Sequence, residues 1–329
     1  MKGKYYFRVK SKKVFFEFTV KRNITVIKGD SASGKTTLLH MLYEYLRVGK
    51  ESGYSVSTNA EYYVYLRREV GRDWKDAMYS LENTIIFIEE NNEFVFSKEF
   101  ADFVKTSGNY FVLVNRAPFK MLPYSIHEIY EIVTNRKRTD IKESYHELRE
   151  IYSNYPIIEN NKIQHVIAED SNSGFQFFSS VYKHSHVISA HGNSNILNTI
   201  KKINSGDILV IADGAAFGAL IESCLKYLKN ENRLRITIWL PESFEYLILN
   251  SGMIQSEELV KILDSPSDYI ESKEYESWEK YFTELLIAMT SDTPYRYSKH
   301  SLDKYYLQEK NILKIMDQFP AAITQIFKN

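Results

Sequence analysis

The chain has 329 residues, 44% of them hydrophobic and 26% charged, with 42 Lys and Arg against 42 Asp and Glu. That composition is globular and long enough for two ordinary domains, and it excludes collagenous, low-complexity and broadly disordered classes. A single cysteine, Cys224, excludes an internal disulfide and a zinc site built on several thiolates.

No apolar run approaches the ~18–20 residues of a membrane span, and residues 1–8 lack the apolar stretch of a secretory leader. The expectation is a cytoplasmic protein with no membrane partner. Charge is uneven along the chain: residues 1–150 carry 25 Lys and Arg against 20 acids (+5), and residues 151–329 carry 17 against 22 (−5). This reads as solvated faces, not as a surface that coats nucleic acid by charge.

No repeat of 20–50 residues is present. Alternating aromatic and β-branched residues over 5–9 and 14–20 predict a β-hairpin turning at Ser11, Lys12 and Lys13. A short apolar strand over 23–28 runs into a Gly-bearing turn and then a helix from Thr36. Further strands are predicted at 61–66, 84–89 and 110–114, with a helix at 98–106 between the last two. Strand–helix alternation predicts a parallel sheet. The first half ends near 128–133, and the polar stretch 136–162 is read as a partly helical linker. The second half alternates again, with strands at 164–168, 186–189, 207–212 and 235–240. Helices are predicted at 175–181, 194–203, 216–228 and 244–249. Beyond Gly252 the pattern is helical, at 257–263, 275–289 and 307–319. The aromatic and apolar spacing of Trp278, Tyr281, Phe282, Leu285 and Leu286 predicts a packed face, with self-association as the alternative.

Gly29-Asp30-Ser31-Ala32-Ser33-Gly34-Lys35-Thr36 fits G-x-x-x-x-G-K-[ST] without a gap. The two glycines let successive backbone N–H groups turn inward toward phosphate oxygens, and the following helix presents its positive end. Lys35 reaches the β- and γ-phosphates, and the Thr36 hydroxyl binds Mg²⁺. Together with Thr37 these nine residues are the expected ATP site. GTP is not excluded by the motif, but no guanine-reading N/TKxD segment is present. A second acidic strand end is needed for the metal and the attacking water. The 84–90 run, Thr-Ile-Ile-Phe-Ile-Glu-Glu, resembles a Walker B strand, with Glu89 as a metal ligand where Asp is usual and Glu90 as the catalytic glutamate. Asn115 and Arg116, after the next strand, are candidates for a γ-phosphate sensor.

The hairpin, strand and P-loop together resemble the opening of ABC-type and recombination-repair ATPases. No LSGGQ-like segment is found, and the interval from Lys35 to the acidic strand, about 48 residues, is short for the usual helical insertion. A compact relative is the expectation.

In the second half a strand over 164–168 ends in Glu169 and Asp170. The strand over 207–212 ends in Asp213-Gly-Ala-Ala-Phe-Gly218. Sites in parallel sheets form at carboxyl ends of strands, so Glu169 and Asp213 are expected to share one crevice. Residues 163–250 resemble the Toprim domain of primases, topoisomerases and overcoming-lysogenization-defect type nucleases, which use a Glu after the first strand and a D-x-D-x-x-G turn after a later one. The first Asp and both glycines match; Ala215 stands where the second Asp would be. The resemblance implies Glu169 and Asp213 as catalytic, Mg²⁺-binding acids, with Asp170, Glu242 or Glu245 as helpers. His184, His186 and His191 lie close in sequence, but their spacing fits no familiar zinc pattern.

The fold class expected is α/β, with two parallel-sheet domains and a helical C-terminal segment: a P-loop domain over 1–150, a Toprim-like domain over 151–252, and helices over 253–329 packing on them. The leading reading is an ATP-gated, metal-dependent nuclease, of the kind paired in anti-phage defence or mobile elements. Its expected partners are nucleic acid and a protein partner or second copy. A nucleotide switch with a non-catalytic second domain is the alternative, and a small-molecule kinase the third.

Overall fold

The computed structural model describes residues 1–29, 33–67, 73–135, 142–152 and 163–324. The chain is an α/β protein that divides into two compact units, Met1–Ser153 with Ser265–Glu276, and Asn154–Asp264 with Ser277–Asn329. No described helix is long and apolar enough to cross a membrane.

In the first unit, alternation builds a hairpin of β1 (Tyr5–Lys10) and β2 (Val14–Val20), with Phe7, Val9, Phe16, Phe18 and Val20 turned into the core. The fully buried run Ile24–Lys28 is β3, and it leads to helix α1 (Lys35–Val48). After α1 come β4 (Ser55–Thr58), β5 (Glu61–Tyr65), helix α2 (Trp74–Met78) and β6 (Thr84–Ile88). Helix α3 (Lys98–Thr106), capped by the Ser97 hydroxyl on the Phe100 N–H at 3.1 Å, precedes β7 (Tyr110–Val114) and β8 (Ile129–Thr134). All five residues of β3, β6 and β7 are buried, as parallel strands covered on both faces require.

Here the expected linker over 136–162 gives way to a strand, β9 (Ser144–Glu150); residues 136–141 and 153–162 lie outside the described residues. Tyr145 meets Phe15, His146 stacks on Phe16 and Leu148 packs on the core, and the backbone of this polar run pairs on both sides, parallel to β2 and antiparallel to β8. Strand pairing, which no local pattern records, overrides the polar composition. A nine-stranded sheet results, in the order β4-β1-β2-β9-β8-β3-β7-β6-β5. It is mixed and not purely parallel: β8, β3, β7, β6 and β5 run parallel, while β1 is antiparallel to β2 and β4.

Helix α1 lays Leu38, Leu39, Met41 and Leu42 on a core that includes Phe7 and Phe18 of the hairpin and Ile27, Phe87 and Val112 of the parallel strands. Phe87 is 0% exposed, and its ring meets Phe7 edge-on at 5.2 Å and Phe18 at 6.3 Å. Phe87→Ala is expected to cost about 3–5 kcal/mol, read as a lowered denaturation midpoint. A loss under about 1 kcal/mol would mean that the hairpin and the parallel strands do not share one core. Segment 265–276 belongs to this unit: the Gly3 N–H donates to the Ser267 carbonyl at 2.6 Å, and the Ser272 N–H to the Met1 carbonyl at 3.0 Å.

The second unit holds a wholly parallel four-stranded sheet in the order β11-β10-β12-β13, formed by β10 (His165–Ala168), β11 (His186–Ser189), β12 (Gly206–Ile211) and β13 (Leu234–Trp239). Its helices are α4 (Ser173–Val181), α5 (Ile196–Lys201), α6 (Ile221–Asn230), α7 (Phe244–Leu249), α8 (Glu257–Asp264), α9 (Trp278–Thr290), α10 (Glu309–Met316) and α11 (Ala321–Thr324). Helix α6 begins five residues later than the predicted 216, because Gly214–Ala216 makes a tighter 3₁₀ turn after β12.

The 253–329 segment does not stand apart. Its 265–276 part belongs to the first unit and the rest to the second. Phe282 of α9 packs on Tyr246 of α7 at 5.0 Å, and Phe319 on Trp239 at 4.3 Å. Phe282 and Leu286 are 0% exposed and stand in the core, while Trp278, Tyr281 and Leu285 of the predicted face are half-buried.

Candidate functional sites

Five parallel strands of the first unit deliver their carboxyl ends to one edge of the sheet. β3 ends there in Gly29, β7 in Asn115 and β6 in Glu89 and Glu90. β7 lies between β3 and β6, so Gly29 and Glu89 leave strands two spacings apart, about 10 Å. Gly29 (φ 134°) and Gly34 (φ 97°) both hold the left-handed backbone that glycine tolerates. Gly34 also allows a close approach, since a Cβ there would meet the Phe16 ring at 3.4 Å. Helix α1 starts at Lys35, and its N-cap residue, Gly34, has no side chain to cap it. Lys35 is buried, and its ammonium donates to the Gly29 carbonyl at 2.8 Å and to the Ser33 hydroxyl at 3.0 Å. Thr36 and Thr37 are exposed on the first turn. Asp30, Ser31 and Ala32 lie outside the described residues.

The two strand-end acids have separate settings. The Glu89 carboxylate accepts the Arg67 backbone N–H at 2.9 Å, which ties it to the end of β5. Glu90 pairs with Arg116 at 3.9 Å. The Asn115 side-chain oxygen accepts the Ala117 N–H at 3.1 Å, closing its own turn.

In the second unit the structure brings Glu169 and Asp213 together. β10 and β12 are neighbours, and the Asp213 backbone N–H donates to Glu169 Oε2 at 2.8 Å. Asp213 Oδ1 accepts the Phe244 N–H at 3.1 Å, at the first turn of α7. Both carboxylates are half-buried and line a cleft of about 360 Å³. Glu245, Glu279 and Lys299 line it too, and Lys299 bridges Glu279 at 2.7 Å. Glu245 accepts the Tyr297 hydroxyl at 2.7 Å, and that hydroxyl is also 2.7 Å from the Ser173 hydroxyl. With Tyr297 donating to Glu245, Ser173 donates to Tyr297.

These acids repel one another out of full contact with water. Burial pushes the Glu169 carboxyl up to about 7, against the Asp213 N–H that favours its charge, with Glu279 and Asp170 adding to the rise. Asp213 is raised well above the usual carboxylate range by burial, then by Glu279, Glu169 and Glu245. Burial also raises Glu245, opposed by Lys299 and the Tyr297 hydroxyl. On Lys299, burial works against the charge, but Glu279 and Glu245 outweigh it and raise the ammonium above its ordinary value.

Asp170 lines the cleft, but its carboxylate accepts the N–H groups of Gly174 at 3.3 Å and Phe175 at 2.8 Å. It acts as a cap on α4. Asp170→Ala is expected to cost about 1 kcal/mol of stability, read by thermal melting, with any activity of the cleft retained once the protein is folded. Loss of activity at unchanged melting temperature would assign Asp170 to the chemistry instead. Glu242 contributes its backbone carbonyl to the Ala215 N–H at 3.1 Å, and Ala215 is buried. His186 meets His165 edge-on at 5.8 Å, while His191 lines the cleft.

Neither protein-family models nor curated proteins match this chain. Among the described residues, no three His, Cys, Asp or Glu side chains stand together as a ready-made metal cage. The pair Glu169 and Asp213, with space for waters in the cleft, nevertheless suits Mg²⁺, which keeps several waters and takes one or two carboxylates. Glu279, Tyr297 and Lys299 escaped the sequence reading. A lone Lys or Tyr in a connecting loop, more than 80 residues from the Asp213 turn, carries no spacing signal.

Proposed function

We propose that the first unit binds and hydrolyses ATP, and that the second unit cleaves phosphodiester bonds of nucleic acid with Mg²⁺, under control of the nucleotide. The observation that carries the second part is the meeting of Glu169 and Asp213 at the carboxyl ends of adjacent parallel strands, in a cleft that holds Glu245 and Glu279 as well. Five acidic side chains, Asp170 among them, line the cleft against one Lys, and a cation there would favour their charged forms.

The first part is supported by the 29–37 motif, with its two left-handed glycines, its buried Lys35 and a helix that starts behind Gly34 at the same sheet edge as Glu89 and Glu90. Lys35 and the backbone N–H groups of the loop bind phosphate oxygens, Thr36 and Glu89 hold the nucleotide's Mg²⁺, and Glu90 takes a proton from the attacking water. In the second unit Glu169 and Asp213 hold Mg²⁺, and Lys299 offers a positive charge to a phosphate. When bound, Mg²⁺ supplies Lewis-acid polarisation and a nucleophilic water. The fold reading that accompanies this is a compact P-loop ATPase joined to a Toprim-like domain.

Two features favour a second reading, a nucleotide switch acting through a protein partner. Lys299 already neutralises part of the cleft, and Ala215 offers no second ligand after Asp213. An assay on plasmid, linear duplex, single-stranded DNA and RNA, with Mg²⁺ or Mn²⁺ and with or without ATP, separates the two. Metal-dependent cleavage that disappears in Asp213→Asn is the expected result. ATP binding with no cleavage of any substrate would leave the switch.

A further inference from the structure

Thr36 and Thr37 also line a separate cleft of about 370 Å³ in the first unit, with Lys13, His40, Met41 and Tyr54 on its other walls. Its size is that of a small-molecule site, ~300–1,000 Å³, and its lining is mostly apolar. The hairpin turn closes one side and is held rigid: Ser11 Oγ accepts the N–H groups of Lys13 and Val14, each at 3.1 Å. On another side Tyr54 rests on the unit's core, and the His40 ring meets it edge-on at 6.4 Å. His40 lies four residues beyond Thr36, so the cleft runs along α1 by one turn, about 5–6 Å, away from the phosphate end.

We propose that this cleft takes the nucleoside of the triphosphate held at Lys35 and Thr36, with the base against Tyr54 and Met41, and that it separates ATP from GTP only weakly. The inference rests on the phosphate reading of the 29–37 loop. A triphosphate anchored at the first turn of α1 carries its nucleoside one phosphate chain away from that turn, and this cleft opens beside the turn with apolar and aromatic walls. Strong discrimination between bases needs buried donors and acceptors matched to one base edge, left unpaired by the other. The described lining has no carboxylate or carboxamide, and the Ser11 oxygen is already engaged by its own turn. Stacking on an aromatic ring accepts every base, because every base has a π-face.

The test uses the full chain and three probes, Mg·ATPγS, Mg·GTPγS and inorganic tripolyphosphate, titrated calorimetrically. ATPγS and GTPγS should bind within about tenfold of each other. Tyr54→Ala should weaken both by about tenfold and leave tripolyphosphate unchanged. His40→Ala, at a half-exposed side chain outside the core, should weaken both by roughly two- to fivefold and decides the matter if Tyr54→Ala does not fold. Unchanged nucleotide affinity in the variants, an equal loss for tripolyphosphate, or a preference for one purine beyond about 100-fold would overturn the inference. If the wild-type chain binds tripolyphosphate as tightly as the nucleotides, only the nucleoside cleft falls. If it binds none of the three probes, the phosphate reading falls and the cleft with it.

Discussion

Lys35→Ala is expected to lower ATP turnover by about 10²–10³-fold, measured as phosphate release under Mg·ATP, with the melting temperature little changed. Lys35 is 6% exposed, and its ammonium is held near the Gly29 carbonyl and the Ser33 hydroxyl before any ligand arrives. A charge fixed in a partly dry loop stabilises phosphate oxygens more than a mobile surface lysine does, because little reorganisation is needed. Helix α1 docks through Leu38, Leu39, Met41 and Leu42, which the substitution leaves in place, so the fold should survive. Glu90→Gln should give a complementary result, with nucleotide bound but turned over slowly. Turnover unaffected by Lys35→Ala would remove the 29–37 loop from the chemistry.

Much of this architecture was legible, for a physical reason. Strands buried on both faces, such as β6 and β7, read as continuous apolar runs, and the hairpin reads as alternation, so both signals are local. The strand β9 was illegible because its support is non-local: Ser144–Glu150 is polar and gains its place by pairing with β2 and β8. The same distinction divides the second unit's cleft. Glu169 and Asp213 follow apolar strands directly, and the rule that parallel strands deliver their ends to one edge puts the two side by side. Glu279 and Lys299 arrive from α9 and the chain after it, brought there by packing such as Phe282 on Tyr246. Packing partners so distant in sequence leave no periodic trace. Nor could composition show that Asp170, one residue from Glu169, turns its oxygens to the α4 amides.

Addition of Mg²⁺ without nucleotide is expected to raise the melting temperature of the wild-type protein far more at pH 8 than at pH 5, and to have little effect on Asp213→Asn at either pH. The sign follows from Glu169, whose carboxyl is raised from an ordinary 4.5 to about 7 in the folded chain. Below pH 4.5 both folded and unfolded chains hold this proton. Between 4.5 and 7 only the folded chain does, so the advantage of holding it is full below 4.5 and is lost as pH rises through 7. Asp213, raised by burial and then by Glu279, Glu169 and Glu245, pushes in the same direction. Without a cation the cleft therefore weakens the protein as pH rises, because its carboxylates must ionise where burial disfavours charge and beside one another, with Lys299 as the one Lys or Arg in the cleft lining. Mg²⁺ needs those carboxylates ionised, so protons compete with it at pH 5 and it relieves the repulsion at pH 8. Saturation to 100 times Kd corresponds to about 2.7 kcal/mol of stabilisation. Asn at position 213 keeps an oxygen for the Phe244 N–H, and Ser243 still caps α7 through the Tyr246 N–H, while the charge disappears. That variant should melt higher than wild type at pH 8 without metal, by roughly 2–4 °C for each kcal/mol of repulsion removed. A magnesium effect equal at both pH values, or one that persists in Asp213→Asn, would place the cation elsewhere and leave the cleft as a Lys299-neutralised scaffold.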